Sequence, residues 1–281
     1  MNAVEKYHIE KNTVQETLMI PLFGRKLCTE VFPDLYKDDT AVMLCEKVDY
    51  DFSEMEKKSR SSFYRFGALE AAMRQLDIKW EIKDYLKENP NAALINMGCG
   101  LDNTGRAVDN GKIKIYNVDF ADIIKARETL LPNGDREESI ATELSELSWL
   151  DRIDASRGAV FFAAGVFHYL TTEQVKRLVL EIGKRFPGAR LVFDTVGKLG
   201  HKLMMKKVLK NFGITDVSGY FHVNNVEKEL GDWSGNISLS HRGYMLGYYD
   251  LHTTGVTGFH RFLSRVGDGP MKMRIVRMDF S

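Results

Sequence analysis

Ala93-Leu94-Ile95-Asn96-Met97-Gly98-Cys99-Gly100-Leu101-Asp102 is the stretch whose reading decides the fold. A short apolar run ends abruptly in two glycines, which tolerate unusual backbone angles and let a ligand come close to the main chain. It therefore reads as a buried strand running into a turn at a binding edge. A second apolar run, Ile113-Lys114-Ile115-Tyr116-Asn117-Val118-Asp119, ends in an acid. A strand, a glycine turn and an acid closing the next strand fit the mononucleotide half of a Rossmann-like sheet.

Outward from this centre, the chain alternates strands and helices as far as Val196, which predicts a parallel sheet covered on both faces. Strands are expected near 92–97, 113–118, 159–163 and 190–194. Helices are expected over 121–131 and 172–186, the second capped by Thr171 or Thr172 and stopped by Pro187-Gly188. Residues 101–112 are close to the minimum length for a right-handed βαβ link, so the helix between the first two strands must be short. Upstream, residues 1–90 read as helical. Pro21 should kink or restart a helix within 13–30, and Asp38-Asp39-Thr40 should cap another before Ala41. Over 61–88, Phe63, Phe66, Leu69, Met73, Leu76 and Ile78 recur at roughly helical spacing, with Arg65 and Arg74 interrupting it. Asn89-Pro90-Asn91 then ends that helix and launches the central strand.

Downstream, 197–243 breaks the rhythm and is expected to form part of a lid. Residues 244–249 and 273–280 return to a β pattern, the latter alternating as an edge strand or antiparallel pair would. The organisation expected is one domain over 1–281: a helical cap (1–90), a ligand-binding core (91–196), the lid (197–243) and C-terminal strands (244–281).

With 39 basic and 39 acidic residues the formal charge is zero, so no global field points to nucleic acid or to an anionic membrane. A small-molecule partner is expected instead. The lysine-bearing stretch 201–210 reads as a solvated helix face rather than a nucleic-acid patch. Cys28, Cys45 and Cys99 are odd in number and lack metal-ligand spacing, and no two of the seven histidines pair on a helix face. Neither a disulfide framework nor a metal is expected. The N-terminus has no apolar signal core and no run is long enough to span a bilayer, so a soluble cytoplasmic protein is expected.

Gly98 and Gly100 admit a ligand close to the backbone, and Asp119 can accept hydrogen bonds from two vicinal ribose hydroxyls. A nicotinamide fingerprint would place a third glycine three positions beyond Gly100, where Asn103 stands. That disfavours a diphosphate and suits a nucleoside ligand without phosphates, such as S-adenosylmethionine.

The order of the pieces resembles the leucine carboxyl methyltransferase family, which includes the polyketide O-methyltransferase-like enzymes of bacteria. The resemblance is carried by the run Glu16 to Arg25, Met73-Arg74, Asn96 to Asp102, Asn117-Val118-Asp119, Glu143-Leu144, Ala164 to Leu170 and Val192-Phe193-Asp194-Thr195, collinear over about 15–196. It implies an α/β, Rossmann-like class I methyltransferase fold: a seven-stranded, mostly parallel sheet with an N-terminal helical cap and an inserted lid. It also implies an S-adenosylmethionine-dependent O-methyltransferase acting on a small molecule or a carboxyl group. The alternatives are a nicotinamide-dependent oxidoreductase and a non-catalytic S-adenosyl-binding protein.

By the same resemblance Arg74 would hold the carboxylate of the methionine moiety, a contact that suits a guanidinium. Its other reading is a surface helix arginine. Gly98 would lie against the cofactor, with Gly100 completing the turn, and Asp119 would take the ribose. Glu143-Leu144 stands where the family has an Asp-Leu pair at the adenine. Ala164 stands where the family commonly carries a glutamate aimed at the cofactor, so no carboxylate is offered from that position. The family's Asp-Thr-Arg run is altered to Asp102-Asn103-Thr104-Gly105-Arg106. His168 and Tyr169, just past the fourth strand, are the candidate catalytic residues; His168 is either a base or a packing residue. Trp233, His241, Arg242 and Tyr244 are candidates for lining the acceptor side, or for packing.

Overall fold

In the computed structural model of the chain, residues 6–9, 14–209 and 220–281 are described. The middle of the expected lid, 210–219, lies outside them. Ahead of the main sheet come β1 (Tyr7–His8), α1 (Val14–Thr17), α2 (Met19–Val31), α3 (Asp39–Lys47), β2 (Val48–Asp49), α4 (Ser53–Lys58) and α5 (Ser62–Glu88). β1 and β2 form a two-residue parallel pair. α2 starts just before Pro21, whose missing N–H has no intrahelical partner to lose in a first turn. α3 starts at its expected cap, where the Asp38 carboxylate accepts the Ala41 N–H at 2.9 Å.

α5 explains its own broken periodicity. Phe66, Leu69, Met73 and Ile78 are buried, and so are Gln75, Asp77 and Glu81. The helix packs on α2, while loop 243–249 covers it from another side: Trp80 stacks on Tyr248 at 3.6 Å, and the Tyr248 hydroxyl donates to Glu81. A helix covered on more than one side does not show a single apolar stripe.

The α/β part runs β3 (Ala93–Met97), α6 (Thr104–Val108), β4 (Lys114–Asp119), α7 (Ala121–Leu130), β5 (Glu137–Ala141), β6 (Ala159–Ala163), α8 (Thr172–Arg185) and β7 (Arg190–Thr195). It continues with α9 (Lys198–Leu209), α10 (Val226–Leu230), β8 (Ile237–Arg242), α11 (Gly258–Asp268) and β9 (Arg274–Phe280). The seven strands lie in the order β5-β4-β3-β6-β7-β9-β8. β5 to β7 are mutually parallel, and β9 is antiparallel to both of its neighbours. Every residue of β3, β6 and β7 is buried, as strands covered on both faces must be. Ile95, Phe161 and Phe193 pack with α8 on one face, and Leu94, Phe162 and Val192 pack with α5 on the other. α8 carries the capping box that Thr171 and Gln174 build together.

Three local expectations are corrected. The stretch 244–249 is a succession of bends rather than a strand, because Tyr244 and Tyr248 turn to α5, where they meet Glu70 and Trp80, and Gly247 makes a close approach: a Cβ there would sit 2.2 Å from Asp77 Oδ2. The strand lies earlier, at 237–242, so the stretch expected as lid ends inside the sheet. β5, which was not expected, is an edge strand in which Ile140 alone is buried, so it lacks the apolar run that announces a central strand.

β3 has β4 on one side and β6 on the other, and the chain reaches them in opposite directions along the sheet. The carboxyl ends of β3 and β6 therefore flank a topological switch point, where open α/β sheets form their ligand crevice.

Candidate active site

The turn leaving β3 is held in a shape that needs glycine. Gly98 has φ +67° and Gly100 φ +44°, both left-handed. A Cβ on Gly98 would lie 2.5 Å from Val166 Cγ2, so the loops after β3 and β6 meet at the switch point. The Gly98 N–H donates to the Val118 carbonyl at 2.8 Å, and the Gly100 N–H to Asp119 Oδ2 at 2.8 Å. The other oxygen of Asp119 accepts the Phe120 N–H at 2.8 Å. Each carboxylate oxygen is thus oriented by one backbone donor and keeps acceptor capacity for one more hydroxyl. Burial pushes the Asp119 carboxyl up, and the Gly100 and Phe120 N–H groups oppose that shift.

Two buried arginines anchor this turn. Arg127 Nη1 donates to the carbonyls of Gly100 at 2.9 Å and Asp102 at 2.7 Å. Arg25 donates to the Leu101 carbonyl at 2.8 Å and to Asp38 Oδ2 at 2.9 Å, while Asn103 Nδ2 donates to Asp38 Oδ1 at 3.1 Å. The altered run 102–106 opens α6: Asp102 Oδ1 accepts the Thr104 N–H and hydroxyl at 3.2 and 2.9 Å. Arg25 ends the run Glu16 to Arg25 that carries the resemblance but has no role assigned from sequence, and Arg127 carries no sequence signal. The available signal was an arginine inside the apolar run 18–28, which has to be paired if it is buried.

At the tips of β6 and β7 a second cluster forms around Asp194, which is 1% exposed. Its Oδ2 lies 3.1 Å from Arg74 Nη1 and 3.1 Å from His168 Nε2, and its Oδ1 accepts the Gly165 N–H. Burial alone would raise this carboxyl, but Arg74, His168 and Gly165 hold it well below the usual carboxylate range. The Arg74 guanidinium lies over Gly165, whose φ is +72°, and a Cβ there would come within 2.9 Å of both terminal nitrogens. Arg74 Nε is buried without a hydrogen-bond partner. One turn earlier on α5, Glu70 accepts the Tyr244 hydroxyl at 3.2 Å, and burial pushes its carboxyl up. Asp194 and Glu70 were given no role from sequence, although an acid closing a fully apolar strand is a signal of the same kind as Asp119.

The candidates divide accordingly. Gly98, Gly100 and Asp119 come together at the tips of β3 and β4, and Arg74 lies with the loop of Ala164 and Gly165 at the tip of β6. Exposed Glu143 and buried Leu144 follow β5, tied to β4 by the Thr142 N–H donating to the Asp119 carbonyl at 2.9 Å. His168 is 2% exposed and Tyr169 51%. Tyr244 is buried beside Glu70, whereas Trp233 packs near Phe221, His241 pairs with Glu227 at 2.7 Å, and Arg242 lies 3.5 Å over the Tyr248 ring. Those last four do not share one wall.

From Asp119 through the glycine turn to Gly165 and Asp194, the site spans the tips of β4, β3, β6 and β7. Three inter-strand spacings amount to ~14 Å, enough for a ligand with two distinct ends. One end is a hydroxyl acceptor, the other a buried charge cluster. Among the described residues no group of three or more His, Cys, Asp or Glu could hold a metal, and no helix is long and apolar enough to cross a membrane. The three cysteines are buried and free.

A family model for leucine carboxyl methyltransferase matches residues 23–183. The tetracenomycin polyketide synthesis O-methyltransferase TcmP of Streptomyces glaucescens is 28% identical over 184 residues, which are 65% of this chain and 66% of that protein. The match thus takes in slightly under two thirds of the relative's length. A DUF574 family protein from Streptomyces avermitilis superposes with a TM-score of 0.56 at 10% identity, over 92% of this chain and 97% of that one. That likeness is one of fold.

Proposed function

This chain belongs to the leucine carboxyl methyltransferase family, and from that membership we propose that it is an S-adenosylmethionine-dependent O-methyltransferase acting on a small molecule. The observation that carries the reading is the row of strand tips, with the oriented Asp119 carboxylate at one end and the Arg74 guanidinium at the other. When bound there, S-adenosylmethionine supplies a sulfonium-borne methyl group open to in-line displacement by an oxygen nucleophile.

The side chains have simple tasks in this proposal. Asp119 accepts hydrogen bonds from the vicinal hydroxyls of a ribose, with Gly98 and Gly100 keeping the backbone clear beside it. Arg74 holds a carboxylate, and Asp194 holds Arg74. Leu144 packs against the base, and Glu143 meets its edge. Because the methyl donor is a strong electrophile, alignment and exclusion of water do most of the work. A carboxylate acceptor would need no base, whereas a phenol would benefit from one. His168, turned to Asp194 and buried, supports the charge cluster, and Tyr169, exposed on the same turn, is the candidate for contact with the acceptor. The polyketide O-methyltransferase named among the relatives supports a polyketide-like hydroxyl as acceptor.

The nicotinamide alternative is disfavoured. α6 has only five residues, and the Asp102 carboxylate already sits at its N-terminus, where it would repel a diphosphate. Calorimetric titration with S-adenosylhomocysteine, S-adenosylmethionine and NAD(P) tests the proposal. Binding of the S-adenosyl ligands is expected, and binding of NAD(P) alone overturns it. Turnover on parallel sets of phenols and carboxylic acids then separates the two acceptor classes.

A further inference from the structure

Glu70 and Arg74 are four residues apart on α5, so they project from the same face of the helix. They form no direct ion pair, although the charge of Arg74 acts on Glu70 through space. Arg74 is turned to Asp194, and among the described residues the polar contact of Glu70 is the Tyr244 hydroxyl on Oε1. A carboxylate pair of oxygens offers about four acceptor sites, so a single hydroxyl leaves most of its capacity unused. Glu70 is half-buried, and a carboxylate partly withdrawn from water is stabilised by a cation or further donors beside it.

The other acids at this end of the site are committed or missing. Asp194 spends Oδ2 on Arg74 and His168 and Oδ1 on the Gly165 N–H. Position 164, just past the tip of β6, is an alanine and offers no side-chain acceptor. Glu70 is the acid with acceptor capacity to spare, and Arg74, with its Nε unpartnered, is the cation with donors to spare. A cation and an anion set side by side and left incomplete are complementary to a zwitterion, whose two charges complete both at once.

Resting on the methyltransferase reading above, we propose that Glu70 receives the α-ammonium group of the cofactor's amino-acid end while Arg74 receives its α-carboxylate. Tyr244 then acts as a positioning residue, holding one carboxylate oxygen so that the other faces the ligand.

Calorimetry on wild type and Glu70→Gln with three ligands tests this: S-adenosylhomocysteine, its analogue lacking the α-amino group, and 5′-methylthioadenosine, which lacks the whole amino-acid end. Glu70→Gln should bind S-adenosylhomocysteine about 10–100-fold more weakly, the range for a hydrogen bond between charged groups, and bind the other two as wild type does. Unchanged affinity for S-adenosylhomocysteine overturns the assignment, and so does an equal loss for all three ligands. Thermal unfolding checks that the variant is folded, and Glu70→Ala replaces it if it is not. Wild-type protein that binds no S-adenosyl ligand refutes the methyltransferase reading itself, an outcome distinct from wild-type binding that is indifferent to Glu70.

Discussion

Asp119 Oδ2 accepts the Gly100 N–H at 2.8 Å, so the acid that closes β4 also fixes the turn that leaves β3. In the proposed reading, ligand acceptor and loop anchor are one carboxylate. With its second oxygen on the Phe120 N–H, the group has little freedom to turn away from the crevice, and this lowers the entropy lost when a ligand is bound.

Asp119→Ala should therefore weaken S-adenosylhomocysteine binding by about 1–3 kcal/mol, the range for losing hydrogen bonds to a charged group. Calorimetry on the folded variant reads it. Near-wild-type affinity would remove the ribose assignment.

Gly98→Ala meets two obstacles: a φ of +67° and Val166 Cγ2 at 2.5 Å from the new Cβ. The variant should lose about 1–3 kcal/mol of stability in urea unfolding. In a Val166→Ala background most of the steric part should be relieved, since only the Val166 Cβ at 3.2 Å remains, and the backbone part, about 1 kcal/mol, should persist. The same loss in both backgrounds would show that the contact between the two loops is immaterial.

Arg25→Met leaves Asp38 buried without the cation that lies 2.9 Å from it. Breaking a buried pair on one side typically costs about 3–5 kcal/mol. Adding Asp38→Asn removes the stranded charge, so the double variant should be more stable than Arg25→Met alone. Chemical denaturation of wild type, Arg25→Met, Asp38→Asn and the double variant checks this, and a strictly additive double variant would argue against coupling.

Asp77 is fully buried, and burial pushes its carboxyl up to about 7, against the opposing Tyr248 N–H and Arg242. Its folded value lies above its ordinary 3.8, so between about pH 4 and 7 the native state keeps a proton that the unfolded chain has released. The contribution of Asp77 to stability accordingly falls as pH rises through that window, by on the order of 4 kcal/mol when complete. Asp77→Asn should abolish this slope and be more stable than wild type at pH 8. Urea midpoints at pH 5 and pH 8 measure it, and an equal difference between the two proteins at both pH values would sink the idea.

The central strands were legible because each is buried on both faces and so appears as an apolar run cut off by glycine, proline or an acid. Residues 93–97, 159–163 and 190–195 all have that form. The helix over 172–185 was legible from its Thr171 cap. Asp119 was legible for the same local reason: an acid at the end of an apolar strand must lie at the strand's exposed tip or find partners. Edge strands carry no such signal. Residues 237–242 are largely exposed, whereas 244–249 looked like a strand because Tyr244 and Met245 are buried and Tyr248 stacks on Trp80 of α5, a tertiary effect.

The amino-acid sequence alone determined which segments are buried, where they stop, and that a glycine turn and an acid stand at successive strand ends. Those properties depend on neighbours a few residues away. Only the tertiary structure decided that Arg74 meets Asp194 across 120 positions, that Arg25 and Arg127 lock the glycine turn, and that Glu70 turns to Tyr244 rather than to Arg74. The reason is physical: strand order and helix placement, set by burial of the whole sheet, choose which distant charges share a site, and no local pattern encodes that choice.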